Sequence, residues 1–252
     1  TVTLDKTGTG VMYISEIEPD DEKFTIRCST LKRATREKRW RSWQDVTLET
    51  VMRNCADLCG MGWALFGINA QIHYDFISMN NESVPAFLKR LMNMEGAVLK
   101  CCSGRLVGIG VTYANQLFAS QTMELTDRKS AGMTHSLMPF MEWKSVKACG
   151  FYGEATATDA DVKYGDNQTL MLPAHDAVEA QRWAAGVLLT HNMQAETVRM
   201  DTEINMGLTA MGRIDIISGT GMDGAWLVKE VMHDLMMETS TMTLWRCRKG
   251  VV

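Results

Sequence analysis

Apolar and polar residues alternate near the start of the chain. The alternation covers residues 11–17 and 23–31, on either side of the acidic segment Pro19, Asp20, Asp21 and Glu22. Period-two alternation is typical of strands, and a short polar segment with proline and aspartate is typical of a turn. The pattern predicts a β-hairpin. The basic segment that follows (residues 32–41) is predicted to lead the chain out of this β region.

A second alternating region fills the last quarter of the chain. Its apolar positions include Val198 and Met200, then Ile214 and Ile216, and later strands around Trp226 and Leu244. The pattern predicts a β-meander of about four strands, which is too long for a lone hairpin and suits a small barrel or sandwich.

Between these regions, apolar residues recur at helical spacing. One run contains Leu48, Val51, Met52, Cys55, Leu58 and Cys59. Thr47 is a suitable N-cap and Gly60 a suitable terminator, so a helix is predicted between them. Phe87, Leu88, Leu91 and Met92 predict a second helix after Ser83, and a third is predicted from Pro173 to Asn192.

The remaining segments complete the prediction. Residues 97–100 and 105–111 flank Ser103-Gly104, which is a hairpin signal. Residues 137–154 have a β-like pattern, whereas the small, acidic and glycine-bearing residues 155–167 predict a loop. The resulting fold class is α+β, in the order β, α/β, β.

Composition narrows the class of protein. The chain has 252 residues, of which 46% are hydrophobic and 22% charged, and its net charge is −4. These values are typical of a globular protein with one large domain or two small ones. The early residues are too charged for a signal peptide, which predicts a protein that is cytosolic when made. Seven cysteines, with Cys101 and Cys102 adjacent, favour reduced and buried thiols. Twenty methionines indicate adaptable packing surfaces.

The glycine-rich segment at residues 219–224 has the letters of a dinucleotide-binding fingerprint, Gly-Thr-Gly-Met-Asp-Gly. That fingerprint needs a helix directly afterwards, to place its N-terminal amides against a pyrophosphate. Here the following residues alternate and include Trp226 and Val228. A β-turn is therefore the favoured interpretation.

Other candidate chemistry is weaker. Cys55 and Cys59 share the apolar face of the first predicted helix, which favours core packing over zinc binding. Five histidines are scattered along the chain: His73, His135, His175, His191 and His233. Glu16, Glu18, Asp20 and Asp21 could pair as acid and base, but acidic turns are common. The best candidates for a hidden polar site are His233, Glu230 and Asp215, which lie on adjacent predicted strands beside the glycine turn.

The order of segments resembles the phage late control protein D family. The resemblance rests on Val-Met-Tyr-Ile-Ser-Glu-Ile at residues 11–17, on the segments at 24–28, 42–48, 81–83 and 87–91, and on the closing strands at 212–216, 226–233 and 241–244. The closing strands are also similar to the hub half of type VI secretion spike (VgrG) proteins. Each motif is loose, and specificity comes from their order and spacing.

The resemblance implies a structural baseplate hub of a contractile phage tail or a related injection machine. It implies two small β-barrels with an inserted α/β segment, divided as residues 1–44 (part of the first barrel), 45–115 (inserted segment), 116–172 (returning strands and acidic loop) and 173–252 (helix and second barrel). The implied assembly is a homotrimer that joins a hexameric tail tube to a trimeric central spike. No cofactor, metal or catalytic residue is implied, and the location is the virion after assembly in the host cytoplasm.

This sequence also departs from the family pattern in two ways. Family members usually carry further residues ahead of the strand at 11–17, so this chain is expected to be a fragment, a short variant, or a hub whose first barrel is completed by another chain. The sequence has no lysozyme or spike extension after Val252, so the spike is expected to be a separate protein.

Two functions from other classes stay open. One is a tail-tip enzyme that degrades peptidoglycan, which would need two converging carboxylates in a groove. The other is a nucleic-acid-binding module that uses Lys32, Arg33, Arg36, Lys38, Arg39 and Arg41 on phosphates and Trp40 and Trp43 on bases. The acidic balance of the whole chain disfavours the second.

Overall fold

The computed structural model of the protein describes residues 3–4, 7–21, 23–124, 132–248 and 251. The chain divides into two compact units. The first comprises Thr1–Met92 and Val98–Gly108, and the second comprises Asn93–Ala97 and Ile109–Val252. Both contain sheets and helices, which confirms the α+β class. The sheets are open over the described residues, so the two closed barrels stay a prediction.

The following elements build the first unit and the crossing into the second: β1 (Thr3–Leu4), β2 (Thr7–Gly8), β3 (Tyr13–Pro19), β4 (Phe24–Ser29), β5 (Lys38–Thr47), α1 (Leu48–Cys59), β6 (Gly62–Phe66), β7 (His73–Ser83), α2 (Val84–Met94), β8 (Ala97–Cys102) and β9 (Arg105–Gly110). β3 and β4 pair antiparallel, as predicted. The hairpin of β8 and β9 is also confirmed, and Ser103 and Gly104 at its turn both have positive φ, 48° and 72°.

Helix α1 follows its sequence signals closely. The Thr47 hydroxyl oxygen accepts a hydrogen bond from the Thr50 amide at 3.3 Å, and Gly60 ends the helix in the left-handed conformation. The buried face contains Leu48, Val51, Met52, Cys55, Ala56 and Cys59. Leu58 differs from the prediction because it lies at the edge of that face and is only half-buried.

The basic segment differs from its prediction. It forms a short 3-10 turn at Arg33–Arg36 and then enters strand β5, so it continues the β structure instead of ending it. β5 pairs antiparallel with β7, and the indole of Trp43 is buried and stacked on Phe87 with 5.4 Å between ring centroids. Aromatic burial and pairing with a distant strand outweigh the high local charge of the segment.

The following elements build the second unit: α3 (Val111–Gln116), β10 (Gln121–Glu124), β11 (Thr134–Leu137), β12 (Trp143–Cys149), β13 (Glu154–Thr158), β14 (Asp166–Met171), α4 (Ala177–Asn192), β15 (Glu196–Glu203), β16 (Arg213–Ile217), β17 (Gly224–Asp234) and β18 (Thr239–Arg246). Helix α4 packs on β12 and β13 of the sheet β13–β12–β14.

Two predicted boundaries in this unit are wrong. The loop predicted for residues 155–167 is shorter and covers residues 159–165, because β13 and β14 occupy its two ends and pair on either side of β12. Helix α4 begins at Ala177 and not at Pro173, since Asp176 is the N-cap and its carboxylate accepts from the Glu179 amide at 2.7 Å.

The predicted C-terminal strands are β15 to β18, and all four form. Their order differs from a meander: the sheet runs β10–β16–β17–β18–β15–β11 over the described residues. β15 therefore pairs with β18, and β10 adds to the edge parallel to β16. The core under this sheet is rich in methionine and includes Met123, Met200, Met222, Met242 and the fully buried Trp226.

Candidate interaction surfaces

The three polar residues singled out as a hidden site do not converge. Asp215 in β16 lies opposite Ala225 of β17, whereas His233 lies opposite Ser240 near the other end of β17. Eight residues of strand separate Ala225 from His233, which corresponds to about 25 Å. Glu230 lies between Ala225 and His233 along β17. The sequence therefore placed these residues on neighbouring strands correctly but could not supply their register.

Each of the three has a partner of its own. The hydrogen bonds join Arg213 to Asp215 at 2.9 and 3.2 Å, Thr243 to Glu230 at 3.2 Å, and Ser240 to the Nδ1 atom of His233 at 2.8 Å. These contacts stabilise the sheet locally and leave the three side chains in separate environments.

The glycine segment is a turn between two strands. Gly219 and Gly224 both have positive φ, at 65° and 119°, and strand β17 begins at Gly224. The Asp223 carboxylate accepts hydrogen bonds from the amide and hydroxyl of Ser218, which lowers the pKa of Asp223. A strand at this position confirms the β-turn interpretation, because a pyrophosphate site would need a helix N-terminus there.

The two helical cysteines belong to the core. Cys55 is fully buried and Cys59 nearly so. Burial raises the pKa of Cys55 to about 12, with a smaller contribution from Cys59, and burial also raises the pKa of Cys101 to about 11. Since the thiolate is the reactive and metal-binding form, the raised pKa values disfavour both roles for these thiols near neutral pH.

The five histidines remain scattered. Their side-chain neighbours are Asp45 for His73, Glu196 for His135, Tyr152 for His175, Trp143 and the Met141 carbonyl for His191, and Ser240 for His233. Within the part of the chain that the structure describes, no three His, Cys, Asp or Glu side chains are grouped as metal ligands. Each described helix is too short or too polar to cross a bilayer.

The basic segment offers limited contact to a nucleic acid. Trp43 is buried, so Trp40, which is 74% exposed, is the one tryptophan of the segment that could stack on a base. The Arg39 guanidinium pairs with Glu37 at 2.7 Å, and that of Arg41 lies over the Trp43 ring at 5.2 Å from its centroid. The guanidinium groups of Arg39 and Arg41 are therefore engaged within the protein, which makes them less available to nucleic-acid phosphates.

The hairpin of β3 and β4 has an exposed apolar face. Ile17 lies opposite Ile26, Pro19 lies opposite Phe24, and Ile14 lies opposite Cys28. The register shift between residues 14 and 16 leaves Ser15 as an extra residue, and this bulge keeps Ile14 on the same face as Ile17. Ile14, Ile17, Phe24 and Ile26 are each more than half exposed, with Phe24 at 74%.

The other face of the same hairpin is polar. The Arg27 guanidinium lies between two carboxylates, 3.5 Å from Glu16 and 3.4 Å from Glu18. These two acidic residues were candidates for acid–base chemistry, and the structure instead places them around a cation on an exposed strand pair.

A second exposed apolar surface lies at the tip of the hairpin of β17 and β18. Met232, Leu235, Met236 and Met237 are exposed there, and Met236 is 94% exposed. The Asp234 carboxylate accepts from the amides of Met236 and Met237, each at 2.9 Å, so the tip has a defined conformation. Large exposed apolar groups that lie together make this tip a candidate interaction surface.

Sequence reasoning did not identify either surface. The alternation that predicted β3 and β4 is the same whether the apolar face is covered or open. The signal that could have helped is the spacing of Ile14 and Ile17, which share a face only if the strand contains a bulge.

The second unit also contains a buried charged cluster. The Glu95 side chain is 1% exposed and accepts hydrogen bonds from Trp183 Nε1 at 2.7 Å and Arg182 Nε at 2.8 Å. Glu179 lies on the same helix as both donors and accepts from the His175 amide at 2.7 Å. The cluster connects α4 to the segment that follows α2.

Glu179 is expected to make stability depend on pH. Burial raises its pKa above the ordinary value of 4.5, and the His175 amide and Arg182 oppose this only in part. The folded protein then holds this proton more tightly than the unfolded chain does. The free energy of unfolding should therefore fall as the pH rises from 4.5 through the raised pKa. Urea titrations at several pH values should show a smaller fall for Glu179→Gln, and equal pH dependence in both proteins would contradict this account.

Comparison with known proteins finds similarity in structure alone. No family model and no curated protein matches the sequence. The tail protein from Neisseria meningitidis MC58 superposes with a TM-score of 0.72 and 13% identity, over 94% of this chain and 80% of that chain. The 43 kDa tail protein of prophage MuSo2 from Shewanella oneidensis gives a TM-score of 0.70 and 12% identity, over 93% and 77%.

A third similar structure comes from a secretion system. The E. coli c3393 protein, described as a type VI secretion component with structural similarity to the T4 tail proteins gp27 and gp5, has a TM-score of 0.50 and 9% identity, over 96% of this chain and 60% of that chain. At these identities the likeness is one of fold. The fold of this chain is thus similar to that of these phage tail proteins and of this type VI secretion component.

Proposed function

We propose that the protein is a structural hub subunit of a contractile tail or a related injection machine, in the phage late control protein D family. The observation that supports this most is the shared fold with a tail protein over 94% of the chain. The resemblance in the order of sequence motifs points to the same class independently.

The proposed role is geometric and not enzymatic. Three copies, each contributing two sheet-containing units, could form a ring of pseudo-sixfold symmetry that fits a hexameric tail tube on one side and a trimeric spike on the other. The proposed partners are further copies of this chain, the tail tube protein, the central spike and other baseplate proteins. The proposed location is the tail of the virion. The exposed apolar surfaces support assembly with other chains, since isolated proteins rarely leave such groups uncovered.

The division into residues 1–44, 45–115, 116–172 and 173–252 is part of this proposal. It would assign β3 and β4 to a first barrel and β15 to β18 to a second. Each of the two units in the structure is compact within a single chain, whereas a barrel could include strands from a neighbouring copy.

The copy number in the native particle tests the proposal. Native mass spectrometry of baseplates released from purified tails should find this chain in three copies, together with tube and spike proteins. A subcomplex with one or six copies, or purified tails that lack the chain, would contradict the hub role. Tube and sheath proteins of the same tails provide the internal standard for the count.

A further inference from the structure

We propose that a groove lined by strand β3 and by the 3-10 turn after β4 binds an organic phosphate. The guanidinium groups of Arg33 and Arg36 hold the phosphate dianion. The apolar lining of the groove, formed by Tyr13, Ile14 and Leu31, contacts the organic part of the ligand. The site lies within the first unit of a single chain and does not rest on the proposed function.

The groove has the size and lining of a small-molecule site. Its volume is about 880 Å³, and such sites typically measure several hundred to about 1,000 Å³. They usually combine an apolar lining with a few polar groups that converge on the ligand. Here the converging groups are the two arginines, and a ligand in the groove would also cover Ile14, which is 61% exposed.

The 3-10 turn places the two arginines on the same side of the backbone. Side chains at positions i and i+3 of a 3-10 helix are eclipsed, and three residues advance the helix by about 6 Å. Thr35, which lies between the arginines in sequence, is buried, and its amide and hydroxyl donate to the Lys32 carbonyl oxygen at 3.0 and 2.7 Å. The turn thus has a defined conformation in which both guanidinium groups can reach one anion.

Neither arginine has a carboxylate partner among the described residues. The ion pair of this segment joins Glu37 to Arg39 at 2.7 Å, so the one carboxylate in the groove lining is already neutralised. The Lys32 ammonium lies 3.4 Å from a backbone carbonyl oxygen. Arg33 and Arg36 therefore give the groove a positive charge, although the chain as a whole has a net charge of −4.

Two neighbouring guanidinium groups select a dianion with several oxygens. Each guanidinium is a planar fork of donors that matches phosphate or carboxylate oxygens. A carboxylate has two oxygens and one charge, so it satisfies one fork. A phosphate monoester has three terminal oxygens and nearly two negative charges at neutral pH, so it can accept from both forks and neutralise both charges. The diesters of a nucleic-acid backbone are singly charged and fit the pair less well.

Phenyl phosphate is a suitable probe, because it joins a phosphate dianion to a small ring. It should bind the full-length chain at low salt with a Kd on the order of 0.1 mM. Arg33→Ala and Arg36→Ala should each weaken binding by about tenfold or more, because charge-assisted hydrogen bonds are lost. Lys38→Ala is the matched control: it removes the same charge from the same segment, but Lys38 does not line the groove, so affinity should change less than about twofold. Titration followed by ³¹P NMR measures the affinities, and matched melting temperatures establish that the variants are folded.

A second comparison tests the selection of a dianion. Benzoate has the same ring and a single charge, so it should bind at least about tenfold more weakly than phenyl phosphate. Lowering the pH from about 7.5 to about 5.5 protonates the phosphate, whose second pKa is about 6, and should weaken binding several-fold. Benzoate affinity should stay nearly constant over that range, which controls for titration of the protein itself. Equal affinities for the two probes at neutral pH would overturn the dianion site.

Two natural sources of a phosphate monoester remain to be distinguished. Adenosine 5′-monophosphate represents nucleotides, and dihexanoyl phosphatidic acid represents lipid headgroups. Tighter binding of one than of phenyl phosphate, with the same loss in Arg33→Ala, would support the site and identify the source.

Three outcomes would overturn the inference. The first is no saturable binding of these monoesters below about 5 mM, and the second is an equal loss of affinity in Lys38→Ala and in the arginine variants. The third is tighter binding of a single-stranded oligonucleotide without terminal phosphates, which would indicate a contact with nucleic acid instead. The copy number in native baseplates tests the hub role independently of all three.

Discussion

Gly186→Ala is expected to destabilise the second unit by about 3 kcal/mol or more. Gly186 lies in the middle of α4, where its Cα packs against the backbone that follows α2. A Cβ at this position would lie 2.1 Å from the Met94 carbonyl oxygen and 2.5 Å from the Gly96 nitrogen. Alanine would otherwise improve helix propensity by about 1 kcal/mol, so a measured loss shows that the backbone contact outweighs it. Urea unfolding monitored by circular dichroism measures the difference.

The control for this substitution is Gly221→Ala. A Cβ at Gly221 meets nothing within 4 Å, so this variant should unfold within about 0.5 kcal/mol of the parent. If Gly186→Ala were as stable as Gly221→Ala, the close packing of α4 on residues 94–96 would be wrong.

Local signals explain the parts of the fold that the sequence predicted well. Helix α1 has a capping threonine, an apolar face with helical spacing and a terminal glycine, all within fourteen residues from Thr47 to Gly60. The β8–β9 hairpin similarly depends on its own turn residues, Ser103 and Gly104. Such elements can be predicted from their own residues, without information about how the rest of the chain folds.

Contacts between distant residues explain the errors. The basic segment enters β5 because it pairs with β7, which follows some thirty residues later. The order of the six-stranded sheet likewise depends on pairing of β15 with β18 and of β10 with β16. Alternation gives the strands but contains no information about which strands are neighbours.

The exposure or burial of individual side chains was also not predictable from local sequence. The sequence predicted β3 and β4. The exposure of Phe24 and Ile26 could not be predicted, because it depends on which of the described residues pack against the hairpin. Conversely, Glu95 looks like an ordinary surface residue beside Gly96 in the sequence. Its burial against Arg182 and Trp183 depends on a contact across 87 and 88 residues of chain.

Glu95→Ala is the second substitution with a large expected effect. It removes the acceptor of both the Arg182 Nε–H and the Trp183 indole N–H, while the fully buried Trp183 cannot turn towards water. The expected cost is about 2–4 kcal/mol, because the buried Trp183 donor loses its acceptor, whereas Arg182 is 29% exposed and keeps the Glu179 carboxylate at 3.6 Å. Chemical unfolding should show a loss in this range.

Two further variants show whether this loss comes from the buried charge. Glu95→Gln keeps an oxygen acceptor and loses the charge, so it should cost less than Glu95→Ala, about 1–3 kcal/mol. Glu154→Ala removes the ion pair of Glu154 with Lys147, whose atoms are 2.8 Å apart, but the Glu154 side chain is 64% exposed. An exposed pair contributes at most about 1 kcal/mol, so this variant should stay close to the parent. If Glu95→Ala and Glu154→Ala had equal effects, Glu95 would be accessible to water, and the cluster could not connect α4 to the residues after α2.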